Sequence, residues 1–181
     1  MGMDKGLIHL YHGDGKGKTT AAIGLAMRVA GYGKRVLFVQ FLKDDQSGEV
    51  AVLKEMPRVW YFSDCDMPKE FYHNMNEEQK QALCISQRKL FENMRQSLSL
   101  IPLEEVGLLV LDELTYVYAW GILDKEDVLS FLKNKPETLE VVITGRNPER
   151  ELLDLADYVT EMKMEKHPFL KGTSARKGIE Y

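Results

Sequence analysis

The chain is poor in the features that mark secreted, membrane-bound and nucleic-acid-binding proteins. Its two cysteines, Cys65 and Cys84, show neither C-x-x-C spacing nor a neighbouring histidine pair, which argues against a zinc framework and a disulfide scaffold and points to a reduced, cytoplasmic protein. Lys and Arg total 24 against 28 Asp and Glu, a net charge of −4, so no global basic field recruits nucleic acid. Met1 to Lys5 carries no apolar signal core. The most apolar stretch, Leu108 to Leu123, is interrupted by Asp112 and Glu113, so no membrane association is expected. The four histidines, His9, His12, His73 and His167, share no metal-binding spacing on one element. Internal repeats and low-complexity linkers are lacking too, and 181 residues suit one α/β domain. The expectation is a single domain over 1–181, with 164–181 as a C-terminal tail or flap.

What the chain does have is Gly13-Asp14-Gly15-Lys16-Gly17-Lys18-Thr19-Thr20, placed between an apolar run and an alanine-rich helical pattern. Three glycines in five residues let the backbone turn its N–H groups toward one anion. Lys18 adds a mobile cation, and Thr19 offers a hydroxyl to a phosphate-bound Mg²⁺. The common cradle is G-x-x-x-x-G-K-[ST], whose first glycine falls at position 12, where this chain has His12. Gly13 stands one residue late, so the cradle is one residue shorter.

Hydrophobic periodicity organises the remainder. Leu7 to Tyr11 reads as a buried strand, Thr19 to Ala30 as a helix, and Val36 to Val39 as a parallel strand covered on both faces. A short helix ending at Met56 and a strand Val59 to Phe62 follow, and residues 63–75 show no period. A long helix from about Asn76 to Ser99 aligns Leu83, Gln87, Leu90, Phe91, Met94 and Leu98 on one face. Gly107 to Glu113 reads as a strand ending in two carboxylates, Lys125 to Lys133 as a helix, and Val141 to Thr144 as a strand. Pro148 to Ala156 reads as a helix and Tyr158 to Met162 as a last strand. This alternation predicts an α/β fold with a doubly wound, mostly parallel sheet, of the RecA-like P-loop NTPase type.

Ligands of such sheets collect at the carboxyl ends of the strands. The glycine loop, Asp112-Glu113 and Gly145-Arg146-Asn147 all fall there. Each alone has an ordinary structural explanation: a tight turn, a solvated acid, a surface arginine. Their agreement is what points to a phosphate site. Arg28, on the first helix, faces either water or that site.

Taken in order, Gly13 to Ala22, Val39-Gln40-Phe41, Leu111-Asp112-Glu113-Leu114-Thr115-Tyr116, Ile143-Thr144-Gly145-Arg146, Leu155-Ala156-Asp157, Lys166-His167-Pro168 and Gly178-Ile179-Glu180-Tyr181 give the chain a family likeness. It resembles the ATP:corrinoid adenosyltransferases of the P-loop type over nearly its whole length, although residues 63–75 lack the Thr-Gly-Phe-Thr-Trp run of some members. The resemblance implies that Co(I) of a reduced corrinoid attacks C5′ of ATP and that triphosphate leaves, in adenosylcobalamin synthesis or salvage. It implies ATP held in reverse polarity relative to an ordinary P-loop. It implies that Gly13, Asp14, Gly15, Lys16, Gly17, Lys18, Thr19 and Thr20 bind the nucleotide. Lys18, Thr20, Arg28 and Arg146 would contact the triphosphate, and Lys18, Arg146 and Glu113 would carry the catalytic role. Thr19 and Glu113 would hold Mg²⁺ or Mn²⁺, with Asp112 as a direct or outlying partner. Phe62, Met67, Phe71 or Tyr72 would press on the corrin. A homodimer and an electron-donor protein such as a flavodoxin complete the expectation. The rival readings are a RecA-like ATPase or nucleotide kinase that cleaves the γ-phosphate, and a non-catalytic nucleotide or corrinoid sensor.

Overall fold

A computed structural model describes residues 5–64, 70 and 72–180. In chain order its elements are β1 (Ile8–His12), α1 (Lys18–Gly31), β2 (Arg35–Gln40), α2 (Gly48–Glu55), β3 (Val59–Phe62), α3 (Glu77–Leu100), β4 (Val106–Asp112), α4 (Leu114–Ala119), α5 (Lys125–Lys133), β5 (Glu140–Thr144), α6 (Arg150–Leu155) and β6 (Tyr158–Glu161). The six strands form one sheet in the order β3-β2-β4-β5-β1-β6, and every neighbouring pair is parallel.

Alternation along the strands divides the core into two layers. Leu10, Leu37, Val39, Leu109, Leu111, Val141 and Ile143 point to the layer that also holds the buried residues of α3, α4, α5 and α6. Val36, Phe38, Leu108, Val110 and Val142 point the other way, against Ala22 and Ala26 of α1 and Leu53 of α2. The alanines, both without exposed surface, let α1 lie close to the sheet. This fixes the loop that precedes it.

The stripe expected on α3 is the buried one: Leu83, Gln87, Leu90, Phe91, Met94 and Leu98. A reciprocal capping box between Asn76 and Gln79 starts this helix. One expectation is corrected. The strand expected to end in two carboxylates stops at Asp112, while Glu113 takes a left-handed conformation (φ 62°) and opens α4. Its segment, Leu-Thr-Tyr-Val-Tyr-Ala, has little intrinsic helix preference. Burial of Leu114, Thr115, Val117 and Tyr118 makes it helical. No helix among the described residues is long and apolar enough to cross a membrane.

Candidate active site

The carboxyl ends of β1, β2, β4 and β5 meet at one place, and each delivers a polar group to it. After β1 the glycine loop is fastened to the end of β6. Gly15 N–H donates to the Met162 carbonyl at 2.7 Å and Met162 N–H to the His12 carbonyl at 2.7 Å. Asp14 Oδ1 accepts from Met164 N–H at 3.1 Å. Gly13 has φ 109°, and a methyl added there would collide with the Met162 carbonyl, so this position requires glycine. Lys18, the first residue of α1, is buried, and its Nζ donates to the carbonyls of Gly13 at 2.7 Å and Gly15 at 2.8 Å. Burial pushes its pKa below the ordinary lysine value, and the nearby Arg146 adds to this against the opposing pull of Glu113.

Asp112, with no exposed surface, is the hub. Its Oδ1 accepts from the hydroxyls of Thr19 (2.9 Å) and Thr144 (2.6 Å), and its Oδ2 from Gln40 Nε2 (3.0 Å) and Lys43 Nζ (2.6 Å). Lys43 also donates to Thr19 Oγ1 at 2.9 Å and lies 3.8 Å from Glu113 Oε1. Burial alone would favour its neutral amine. The Asp112 and Glu113 carboxylates reverse this and hold the ammonium above its ordinary pKa. Lys43 is aimed by Leu42, which has φ 54° and donates its N–H to Gln87 Oε1 at 3.1 Å. That bond explains the fully buried glutamine in the apolar stripe of α3.

Glu113 N–H donates to Thr144 Oγ1 at 2.9 Å, which stabilises the left-handed turn that points its side chain back into the site. Burial raises the Glu113 carboxyl and the Asp112 charge raises it further, against Lys43, Lys18 and Arg146. Glu113 Oε2 is buried without a hydrogen-bond partner. Arg146 follows Gly145, where φ is 145° and a side-chain carbon would collide with Thr115 Oγ1. The Arg146 carbonyl accepts from that same hydroxyl at 2.9 Å.

Lys43, Glu113 and Arg146 line a cavity of about 740 Å³ together with residues 14–20 and Glu49, Val52, His167 and Gly178 to Glu180. The tail closes one side. Lys16 Nζ donates to the Ile179 carbonyl at 3.0 Å and to Glu180 Oε1 at 3.3 Å. Hydrogen bonds from Arg176 hold the Glu180 carboxyl down at about 2.

The structure brings Asp14, Gly15, Lys16, Gly17, Lys18, Thr19, Thr20, Glu113 and Arg146 to this cavity, with Asp112 directly beneath. It does not bring Arg28 or Phe62 there. Arg28 is exposed, ten residues or about 15 Å along α1 from Lys18, and its charge acts on Tyr11. Phe62 ends β3, at the far edge of the sheet from β1, and packs on the α3 side of the core. Phe71 and Met67 lie outside the described residues. Tyr72 stacks on Trp120, ring centroids 4.6 Å apart. Sequence reasoning gave no role to Lys43, Gln40 or Thr144. The signal for the first two was their position just after the apolar run Val36 to Val39, at the carboxyl end of a parallel strand.

A divalent cation fits the oxygens present. Thr19 Oγ1 and the unpartnered Glu113 Oε2 are hard donors, and Mg²⁺ is commonly held by one or two carboxylates plus substrate phosphates. Among the described residues no cluster of three or more His, Cys, Asp or Glu could hold a metal.

A glycine cradle at the head of a helix, beneath a parallel sheet with acids at its carboxyl edge, defines an α/β protein of the P-loop fold. A similar fold is found in the EssC (ATPases 2 and 3) structure from Geobacillus thermodenitrificans, with a TM-score of 0.53 at 13% identity. The match covers 98% of this chain and 37% of that one, so the chain spans little more than a third of EssC. The family model for ATP:corrinoid adenosyltransferase BtuR/CobO/CobP matches residues 4–181. Corrinoid adenosyltransferase CobA of Salmonella typhimurium is 39% identical over 180 residues, 98% of this chain and 87% of the relative. The corrinoid adenosyltransferase of Escherichia coli is 38% identical over the same shares, and that of Pseudomonas aeruginosa 33%, over 98% and 85%. The chain belongs to the ATP:corrinoid adenosyltransferase family. Membership sets aside the γ-phosphate-cleaving ATPase or kinase as the reading of its phosphate site.

Proposed function

We propose that this protein transfers the 5′-deoxyadenosyl group of ATP to the Co(I) centre of a corrinoid and releases triphosphate. The observation that supports this reading best is the convergence of Lys18, Lys43, Arg146 and a shortened glycine cradle on one cavity, in a chain matched to the family along its length.

The reaction is a displacement at carbon. The cobalt electron pair forms the Co–C5′ bond, the C5′–O bond breaks, and its electrons leave on the triphosphate. Negative charge grows on the leaving group, so donors fixed around it favour the transition state over bound ATP. The loop N–H groups, Lys18, Thr20 and Arg146 would supply these donors. Lys18 is already held by two loop carbonyls, so little reorganisation is needed. A Co(I) nucleophile has no proton to lose, and no residue is required as its base. The remaining task is in-line positioning. The short loop serves it by seating the polyphosphate in reverse polarity with C5′ toward the corrinoid.

Mg²⁺ or Mn²⁺, when bound, would add positive charge beside the departing triphosphate. Thr19 and Glu113 would hold it. Asp112, whose two oxygens already accept from Thr19, Thr144, Gln40 and Lys43, acts from behind by orienting the Thr19 hydroxyl. The electron-donor protein and the homodimer belong to this reading through the family alone.

Mixing the purified protein with MgATP and cob(I)alamin tests the proposal. The expected products are a photolabile cobalt–carbon species and triphosphate. Orthophosphate, with no cobalt–carbon product, would overturn it.

A further inference from the structure

Lys43 stands where the proposed metal site would form. Its ammonium lies 2.9 Å from Thr19 Oγ1, 2.6 Å from Asp112 Oδ2 and 3.8 Å from Glu113 Oε1. It thus bonds one of the two oxygens assigned to the cation and faces the other residue's carboxylate. A divalent ion at Thr19 and Glu113 would sit within a few ångströms of this positive charge, in a half-buried setting where screening is weak. The repulsion opposes capture of a free ion. The position of Lys43 is built rather than incidental: Leu42 is held left-handed by the buried Gln87, and the lysine's side chain is only 28% exposed. Lys43 also lines the polyphosphate cavity, so an incoming anion offers its ammonium an alternative partner within reach.

We propose that Lys43 is a resident cation that makes metal capture conditional on nucleotide, holding the Thr19, Asp112 and Glu113 oxygens together until polyphosphate draws its ammonium off and admits the divalent ion with the substrate. This inference rests on the assignment of Thr19 and Glu113 as the metal-holding residues, and goes beyond it in ordering the two binding events. Lys43 is therefore a positioning residue. Removing its charge leaves the buried Asp112 carboxylate short of a partner, and the site then seeks a cation without waiting for ATP.

The test is equilibrium binding of free Mn²⁺, followed by electron paramagnetic resonance, to the full chain without nucleotide or corrinoid. Lys43→Met should bind Mn²⁺ at least about tenfold more tightly than the unaltered protein, while Lys43→Arg, which keeps the charge, should not. Adding Glu113→Gln to Lys43→Met should abolish the gain, which locates the ion. With ATP present, after correction for Mn·ATP in solution, the mutual enhancement of metal and nucleotide binding should shrink in Lys43→Met by a comparable factor. Equal Mn²⁺ affinity in Lys43→Met and the unaltered protein, with cooperative unfolding retained by both, would overturn the proposal. Should Lys43→Met fail to fold, Lys43→Gln, which keeps a donor toward Asp112, takes its place: tighter Mn²⁺ binding again supports the gate, and equal affinity again overturns it. The outcome is separable from that of the activity: a gain in Mn²⁺ affinity without adenosyl transfer sinks the reaction and leaves the gate, and the reverse result sinks only the gate.

Discussion

The floor and the roof of the cavity are held by different forces. The floor is Asp112 with Thr19, Gln40, Lys43 and Thr144, contributed by β4, α1, β2, the segment after β2, and β5. Its polar atoms sit in a region of low dielectric where each bond supports the others. The roof is the tail, where Lys16, with half its side-chain surface exposed at 50%, and Arg176, at 61%, share Glu180. Such pairs are screened by water and salt. The floor is thus part of the fold, whereas the roof is a contact at the solvent boundary.

The largest effect that would break this comparison comes from the floor. Asp112→Ala removes the shared acceptor of two hydroxyls, an amide and an ammonium, and should cost about 3–5 kcal/mol of stability, read by urea unfolding. A loss below about 1 kcal/mol would mean that the floor is not structural. Next comes Lys18→Ala. Here adenosyl transfer should fall by at least about a hundredfold, the usual result of losing one preorganised donor at about 3 kcal/mol. Near-normal turnover would take the cradle out of the mechanism.

A half-buried ionic group at the opposite, amino end of the same strands sharpens the contrast. Burial works to raise the Glu140 carboxyl, but the hydrogen bond with the His9 ring and the Leu7 N–H outweigh it and hold the pKa below the ordinary glutamate range. A carboxyl with a depressed folded-state pKa contributes stability that is present above the unfolded value and is lost as pH falls through the folded one. Glu140→Gln should therefore lower stability at neutral pH by about 1–2 kcal/mol and flatten the acid limb of the stability curve below the ordinary glutamate range. Melting curves from neutral to acid pH check this, and an unaltered acid limb would refute it. The smallest effect belongs to the roof. Glu180→Ala should leave the melting temperature unchanged and move the apparent KM for ATP by no more than about threefold, as steady-state kinetics would record. A clear drop in melting temperature would promote the tail to part of the floor.

What the sequence made legible follows the same division. The stripe on α3 and the interior strands Val36 to Val39 and Val141 to Thr144 could be read because burial imposes a regular period on apolar residues. The loop, Asp112, Glu113 and Arg146 could be read because strand ends in a parallel sheet have a known use. Lys43 was hidden because the left-handed Leu42 aims it, and that conformation depends on Gln87, forty-five residues away. Thr144 was hidden inside an apolar run, where its hydroxyl looks like a β-branched filler. The turn at Glu113 and helix α4 reflect tertiary burial that overrides local preference. Arg28 was drawn toward the site by family likeness, but helix geometry carries it away.

The Met162 carbonyl that backs the glycine loop also ties the depth of the phosphate seat to the breadth of the sheet. Inserting a residue between Gly13 and Asp14 would restore the common spacing, but the added bulk would drive against the end of β6. The outermost strand would have to slide or peel away to make room. On the proposed function, the polarity in which the nucleotide lies would be guarded by a strand that need never touch it.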